Sequence, residues 1–266
     1  MESKAGEFSK RAIAVEVTSN MGSARDIMLK YNISRVIVVA NGKPVGMATE
    51  KAIGSYLLKN IANPLDKIPI SKAMRSPIIT VTVDTSIDAC AKMMIENKIS
   101  SLVVIDNAQI NILTKSDLVK LYAEDHKREH LVKDFMTKNV ITISPSHSLR
   151  WALILMIKNR ISRLVVTREK DIVGILTFRD LMPITNFVEG NTAATELLDL
   201  SSIGYIILAR DVMKKPMMLN VNDDLADAAQ VMHSKRISGI PAVDLNSHLS
   251  GIITKTDLVR ALIVNK

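Results

Sequence analysis

Three times in 266 residues a short apolar run ends in a threonine that is followed three positions later by an aspartate: Thr114-Lys115-Ser116-Asp117, Thr177-Phe178-Arg179-Asp180 and Thr254-Lys255-Thr256-Asp257. Two chemistries use that spacing. Threonine can cap a helix N-terminus while the aspartate sits in the first turn, where the helix dipole favours negative charge. For one copy that is the ordinary reading. Repetition at the end of equivalent apolar runs points to a second. A carboxylate held at a helix start can accept hydrogen bonds from both hydroxyls of a ribose, and charge assistance strengthens such bonds. The threonine hydroxyl adds another contact, and helix N-termini and basic side chains are then available to phosphate. Neither chemistry needs a catalytic base. At the fourth equivalent place the chain reads Thr49-Glu50-Lys51-Ala52, so Ala52 stands where the carboxylate is expected.

The elements that must position these residues recur with them. Ile-Ser occurs at Ile33-Ser34, Ile99-Ser100, Ile161-Ser162 and Ile237-Ser238, each preceded five residues earlier by a methionine (Met28, Met94, Met156, Met232). Before each pair lies a helical pattern; Ile87, Cys90, Ala91, Met94 and Ile95 follow the i, i+3, i+4, i+7, i+8 spacing of one apolar face. Thr85-Ser86 and Asp223-Asp224 supply capping oxygens at two helix starts. After each pair come two short β-branched runs bounded by turn residues such as Asn41-Gly42, which predict adjacent strands. A second helix follows the threonine. The expected fold is α/β (α+β): four repeats of strand, helix, strand, strand, helix. A repeat of about 60 residues buries too little surface to be secure alone, so pairing is expected. The predicted modules are 8–125, holding repeats 8–60 and 67–125, and 126–266, holding repeats 128–184 and 206–266.

Composition narrows the function. Aromatic residues are 3% of the chain, too few for a platform that stacks single-stranded bases. One cysteine, Cys90, excludes an internal disulfide and a cysteine-rich zinc site. His126 and His130 share a helical spacing without an evident third ligand, and a charged linker is the expectation there. No apolar run follows the charged N-terminal residues, and Tyr205–Ala209 is far below the roughly 18 residues a membrane span needs. A cytoplasmic protein without membrane contact is expected. The net charge of +8 favours anionic partners and leaves nucleic acid as an alternative ligand.

Four copies in register, three led by Met74, Asp134-Phe135-Met136 or Asp211-Val212-Met213, resemble tandem cystathionine-β-synthase-type (CBS) domains over most of the chain. The resemblance implies two CBS pairs with clefts between paired repeats that sense adenine nucleotides (AMP, ADP or ATP). It implies no catalysis and no cofactor beyond that ligand, with output to a regulated protein partner or through self-association as a homodimer. Asp117, Asp180 and Asp257, with Thr114, Thr177 and Thr254, take the ribose role. Relatives such as the gamma subunit of AMP-activated kinase carry basic residues after the Ile-Ser position, which makes Arg35 and Arg163 the phosphate candidates. Thr80, Thr142 and Asn220 fall in first strands, near the expected adenine. An S-adenosylmethionine sensor would use the same adenosine contacts without a phosphate cation. The repeat that carries Ala52 in place of the aspartate is expected to bind weakly or not at all.

Overall fold

The computed structural model describes residues 3–59, 64–107, 109–181 and 207–264, and in them the same α/β unit is built four times. A short helix α1 (Ala5–Phe8) and strand β1 (Lys10–Arg11) lead into repeat 1: β2 (Ala14–Glu16), α2 (Met21–Lys30), β3 (Arg35–Ala40), β4 (Lys43–Thr49) and α3 (Glu50–Lys59). Strand β5 (Met74–Arg75) leads into repeat 2: β6 (Thr80–Thr82), α4 (Ile87–Glu96), β7 (Ser101–Asp106), β8 (Gln109–Thr114) and α5 (Lys115–Asp125). Helix α6 (Val132–Phe135) leads into repeat 3: β9 (Thr142–Ile143), α7 (Leu149–Lys158), β10 (Arg163–Arg168), β11 (Asp171–Thr177) and α8 (Phe178–Leu181). Helix α9 (Ala209–Val212) leads into repeat 4: β12 (Leu219–Asn220), α10 (Leu225–Ser234), β13 (Gly239–Val243), β14 (Leu249–Thr254) and α11 (Lys255–Val264).

The fixed Met-to-Ile spacing is a helix stop. The isoleucine N–H bonds back to the methionine carbonyl in all four repeats: Ile33 to Met28 at 2.9 Å, Ile99 to Met94 at 3.0 Å, Ile161 to Met156 at 2.9 Å and Ile237 to Met232 at 3.1 Å. The residue between helix and isoleucine is left-handed each time: Asn32, Lys98, Arg160 and Arg236, with φ from 52° to 56°. This is the Schellman arrangement, which satisfies carbonyls the helix end leaves unpaired. Glycine usually fills that position; three of these four are long basic side chains, which also complement the negative end of the helix dipole. The helix starts are capped as the sequence predicts, Ser86 Oγ accepting from Ala89 N–H at 3.2 Å and Asp224 Oδ1 from Ala226 N–H at 3.0 Å.

In every repeat the first strand pairs parallel with the second and the second antiparallel with the third. The fourth position at the sheet edge is filled by a leading segment from the neighbouring repeat in the chain. Strand β1 pairs with β8 of repeat 2, and β5 pairs with β4 of repeat 1. The second half of the chain repeats the exchange through single bridges, Thr137 to Ile252 in repeat 4 and Lys214 to Ile175 in repeat 3. Each segment also bridges the residue that caps the first helix of the repeat it covers: Lys4 to Ser86, Pro69 to Asn20, Leu131 to Asp224 and Leu208 to Ser148. An edge strand left open is a template for unwanted pairing, and these segments close it.

Two compact units result, and they interleave the chain. One comprises Met1–Ala12, Ile79–Val140 and Pro216–Lys266, which unites repeats 2 and 4; the other comprises Ile13–Ile78 and Ile141–Lys215, which unites repeats 1 and 3. In the unit of repeats 2 and 4 a single apolar core runs through both, including Leu118, Val119 and Tyr122 from α5 and Leu258, Val259 and Leu262 from α11. Among the described residues of the other unit, the buried apolar side chains form two groups, one centred on Met21, Val36 and Ile53 and one on Ala152, Leu164 and Phe178. The grouping 8–125 and 126–266 concerns consecutive repeats, a different association from these helix-mediated units. Among the described residues no helix is long and apolar enough to cross a membrane.

Candidate functional site

All three threonine–aspartate pairs have one geometry. Thr114 N–H and Oγ1 both donate to Asp117 Oδ2, at 2.9 and 2.7 Å; Thr177 does the same to Asp180 Oδ2 at 2.8 and 2.6 Å, and Thr254 to Asp257 Oδ2 at 2.9 and 2.6 Å. The carboxylates are buried, their side chains 10%, 4% and 3% exposed in chain order. The capping chemistry is therefore real, and it consumes one oxygen of each carboxylate. What remains for a ligand is Oδ1, and a cation already meets it: Lys10 at 2.8 Å on Asp117, Lys214 at 2.6 Å on Asp180 and Arg260 at 3.2 Å on Asp257. In repeat 1 Thr49 Oγ1 still accepts a capping bond, from Ala52 N–H at 3.1 Å, with no carboxylate at that position.

The two lysines were not singled out in the sequence, and their origin explains why. They belong to the exchanged segments, so each is distant in sequence from the aspartate it meets. Register makes them equivalent: Lys10 pairs with Ile112, Lys214 with Ile175, Thr137 with Ile252 and Arg75 with Met47, each two residues before the site threonine. A signal was present. The position directly follows the methionine of the leading motif (Met74, Met136, Met213; Ser9 in the first segment) and reads Arg, Thr, Lys and Lys. The same segments account for the glycine of the third strand. A Cβ on Gly46 would lie 2.8 Å from Met74 Sδ and one on Gly251 2.5 Å from Met136 Sδ, while Gly174 faces Met213 in the same way. Repeat 2 carries Asn111 there, opposite the segment that has Ser9 in place of methionine.

The phosphate candidates start their strands directly across from a site threonine, Arg35 opposite Thr49 and Arg163 opposite Thr177. Arg163 is thus gathered with Thr177 and Asp180 in repeat 3. Arg35 belongs to the repeat without the carboxylate; its Nη2 donates to Ser34 Oγ at 2.9 Å and its charge helps to draw down the pKa of Glu50. Burial is the larger influence on Glu50 and pushes its carboxyl above the ordinary value, against the pull of Arg179 and Arg35. Thr80 and Thr142 occupy one equivalent place, opposite Val103 and Val165. Asn220 stands two residues further along its strand than that place, which register assigns to Met218. Asn220 instead closes a turn, its N–H donating to Asp223 Oδ2 at 2.8 Å and its side chain accepting from Asn222 N–H at 2.9 Å.

The histidines do structural work. His130 Nδ1 lies 3.1 Å from the Tyr122 hydroxyl, and His126 stacks on the Tyr122 ring and meets Glu129 Oε2 at 2.8 Å. No group of three metal-ligating side chains occurs among the described residues. Burial raises the Cys90 thiol to about 11, which leaves it protonated and unreactive at neutral pH.

Four βαββα repeats with exchanged edge segments and a capped Thr–Asp pair in three of them define a tandem-repeat ligand-binding scaffold. The CBS domain model matches residues 5–59, 70–124, 132–184 and 209–264, and the chain belongs to the CBS domain family. Protein MJ1225 of Methanocaldococcus jannaschii is 24% identical over 271 residues, 95% of each chain. Its crystal structure, described as that of a candidate archaeal homologue of g-AMPK, superimposes with a TM-score of 0.87 at 22% identity and covers 97% of this chain and 99% of that one. A Pyrococcus horikoshii protein gives a TM-score of 0.66 at 16% identity over 97% of this chain and 99% of its own. Inosine-5'-monophosphate dehydrogenase of Thermoplasma acidophilum is 28% identical over 193 residues, which span 73% of this chain and 33% of that enzyme.

Proposed function

We propose that the protein is a non-enzymatic regulatory sensor of adenine nucleotides, AMP, ADP or ATP, with Asp117, Asp180 and Asp257 as its ribose carboxylates. The observation that carries this reading is the threefold Thr–Asp geometry. In each pair Oδ2 is fixed by two bonds from the threonine, so Oδ1 is held as an oriented, buried acceptor at a helix start. Arg163, opposite Thr177, supplies the phosphate charge in repeat 3. Arg35 takes that role in repeat 1, where Ala52 stands in the place of the ribose carboxylate. Thr80 and Thr142 stand near the adenine, with Asn220 the weakest of the three assignments because it is committed to its turn.

The modules 8–125 and 126–266 are supported by the leading segments, which repeats 1 and 2 exchange with each other and repeats 3 and 4 exchange with each other. Regulation follows if the ligand binds one arrangement of the repeats better than another. Output passes to a regulated partner protein or through homodimerisation, in the cytoplasm. An S-adenosylmethionine sensor would share the ribose carboxylates and differ at Arg163.

Calorimetric titration with AMP, ADP, ATP and S-adenosylmethionine tests the reading. Asp180→Asn retains a capping oxygen but turns a donor outward, so nucleotide binding at that site should fall at least tenfold. Arg163→Ala should weaken ATP more than adenosine. Undiminished binding in Asp117→Asn, Asp180→Asn and Asp257→Asn together would sink the ribose assignment. A steep loss of RNA or DNA affinity with salt, without competition from nucleotides, would favour the nucleic-acid alternative.

A further inference from the structure

The outward oxygens of Asp117 and Asp180 are not open. Each is met by an ammonium that arrives on an exchanged segment, at 2.8 and 2.6 Å, and the lysine side chains are 75% and 66% exposed while the carboxylates are almost wholly buried. The inner oxygen already accepts two bonds, so a ribose hydroxyl approaching either carboxylate must share or take the oxygen the lysine holds. The equivalent position is Thr137 in the segment that covers repeat 4. There Asp257 Oδ1 meets Arg260, a cation from its own helix rather than from the covering segment, at 3.2 Å. In repeat 1 the position is Arg75, which is exposed and has no carboxylate partner among the described residues. The cation is engaged at the two places where a carboxylate lies within its reach.

We propose that Lys10 and Lys214 are specificity-determining latches. Each competes with the ribose for Oδ1, so that Asp117 and Asp180 discriminate against weakly bound nucleosides, whereas the cation on Asp257 Oδ1 comes from its own helix and not from an exchanged segment. The proposal rests on the ribose reading above. Displacing a lysine also releases a side-chain tie from its segment to the site, so ligand binding is felt by the segment. The pair is half in solvent, and its competitive effect is modest: exposed pairs contribute about 0.2–1 kcal/mol, a factor of about 1.4 to 5 in affinity.

The test isolates Asp180 in a background of Asp117→Asn and Asp257→Asn and titrates adenosine, whose lack of phosphate removes any direct charge attraction to the lysine. Lys214→Thr, which installs the residue of repeat 4, should tighten adenosine two- to fivefold, while Lys214→Arg should not. Raising salt from 50 to 500 mM should tighten adenosine in the lysine form and leave the threonine form unchanged, because only the former has a pair to screen. Equal or weaker binding in Lys214→Thr overturns the latch even if Asp180→Asn abolishes binding. If adding Asp180→Asn to that background leaves adenosine affinity unaltered, the ribose assignment itself fails, and the latch with it. Absence of adenosine binding in every form has the same consequence.

Discussion

The seam between repeats 2 and 4 and the seam between repeats 1 and 3 place different chemistry at one repeat position. In the first, the residue after the site threonine is lysine on both sides. Lys115 Nζ donates to Thr256 Oγ1 at 3.0 Å and Lys255 Nζ donates to Ser116 Oγ at 2.6 Å, two reciprocal bonds beside an apolar core that runs through both repeats. In the second, the same position holds Glu50 and Phe178. Arg179 Nη2 meets Glu50 Oε1 at 2.8 Å and its Nη1 bonds to Asn32, while Phe178 lies against Gly54, where a Cβ would fall 3.0 Å from the ring. Among the described residues, the first seam shows apolar burial with polar groups beside it, and the second a buried ion pair and an aromatic ring. The first draws its stability from area removed from water. The second contains a pair that must stay together, because a buried carboxylate left alone is costly.

That contrast can be broken most forcefully in the apolar seam. Leu258→Ala removes a fully buried side chain of the shared core and should cost about 3 kcal/mol, read as a lowered denaturant midpoint. Next comes the ion pair. Arg179→Ala should cost about 2 kcal/mol, discounted from a fully buried pair because the arginine is 32% exposed, and Glu50→Leu combined with Arg179→Leu should restore most of it. Glu50 also gives this seam a pH signature. Its folded-state pKa lies above the ordinary carboxylate value, so its stabilising contribution is complete below that ordinary value and is lost as pH rises through the folded one. Unfolding free energies of wild type and Glu50→Gln should therefore diverge across that window, with the wild type alone losing stability as pH rises. The smallest effect is expected for the bonds beside the apolar core. Lys115→Ala or Lys255→Ala should each cost at most about 1 kcal/mol, and a loss equal to that of Leu258→Ala would mean the apolar seam is not what holds repeats 2 and 4.

Much of a repeat was legible because its signals are local. The Met-to-Ile spacing is a helix stop, the β-branched runs are strands, and Thr-x-x-Asp is a capping unit whose spare oxygen can face a ligand. What escaped the sequence depends on contacts between distant segments. Two-residue strands such as β1 and β5 have no periodicity to detect, so neither the exchange nor the lysines it delivers could be placed. Glycines 46, 174 and 251 admit a methionine from another repeat, a contact that no local pattern announces. Asn220 was aligned with Thr80 and Thr142 by its place in a first strand, and only register shows the offset of two residues. Which repeats share a helical seam is likewise decided by the faces of α3, α5, α8 and α11, whose patterns are alike in all copies.

The exchanged segments also impose an order on synthesis. The strand that residues 3–11 cover, β8, ends at Thr114, so these residues wait while about a hundred more are made before they have a sheet to join. Repeat 1 in turn completes its edge only when Met74 and Arg75 appear, by which point its own strands have long been made. At residue 125 both edges of the first half are covered, while the helix faces of repeat 2 still lack the partners that begin after residue 216. A ribosome paused between those two points would display a nascent chain with finished sheets and a bare helical face, the species most in need of a chaperone.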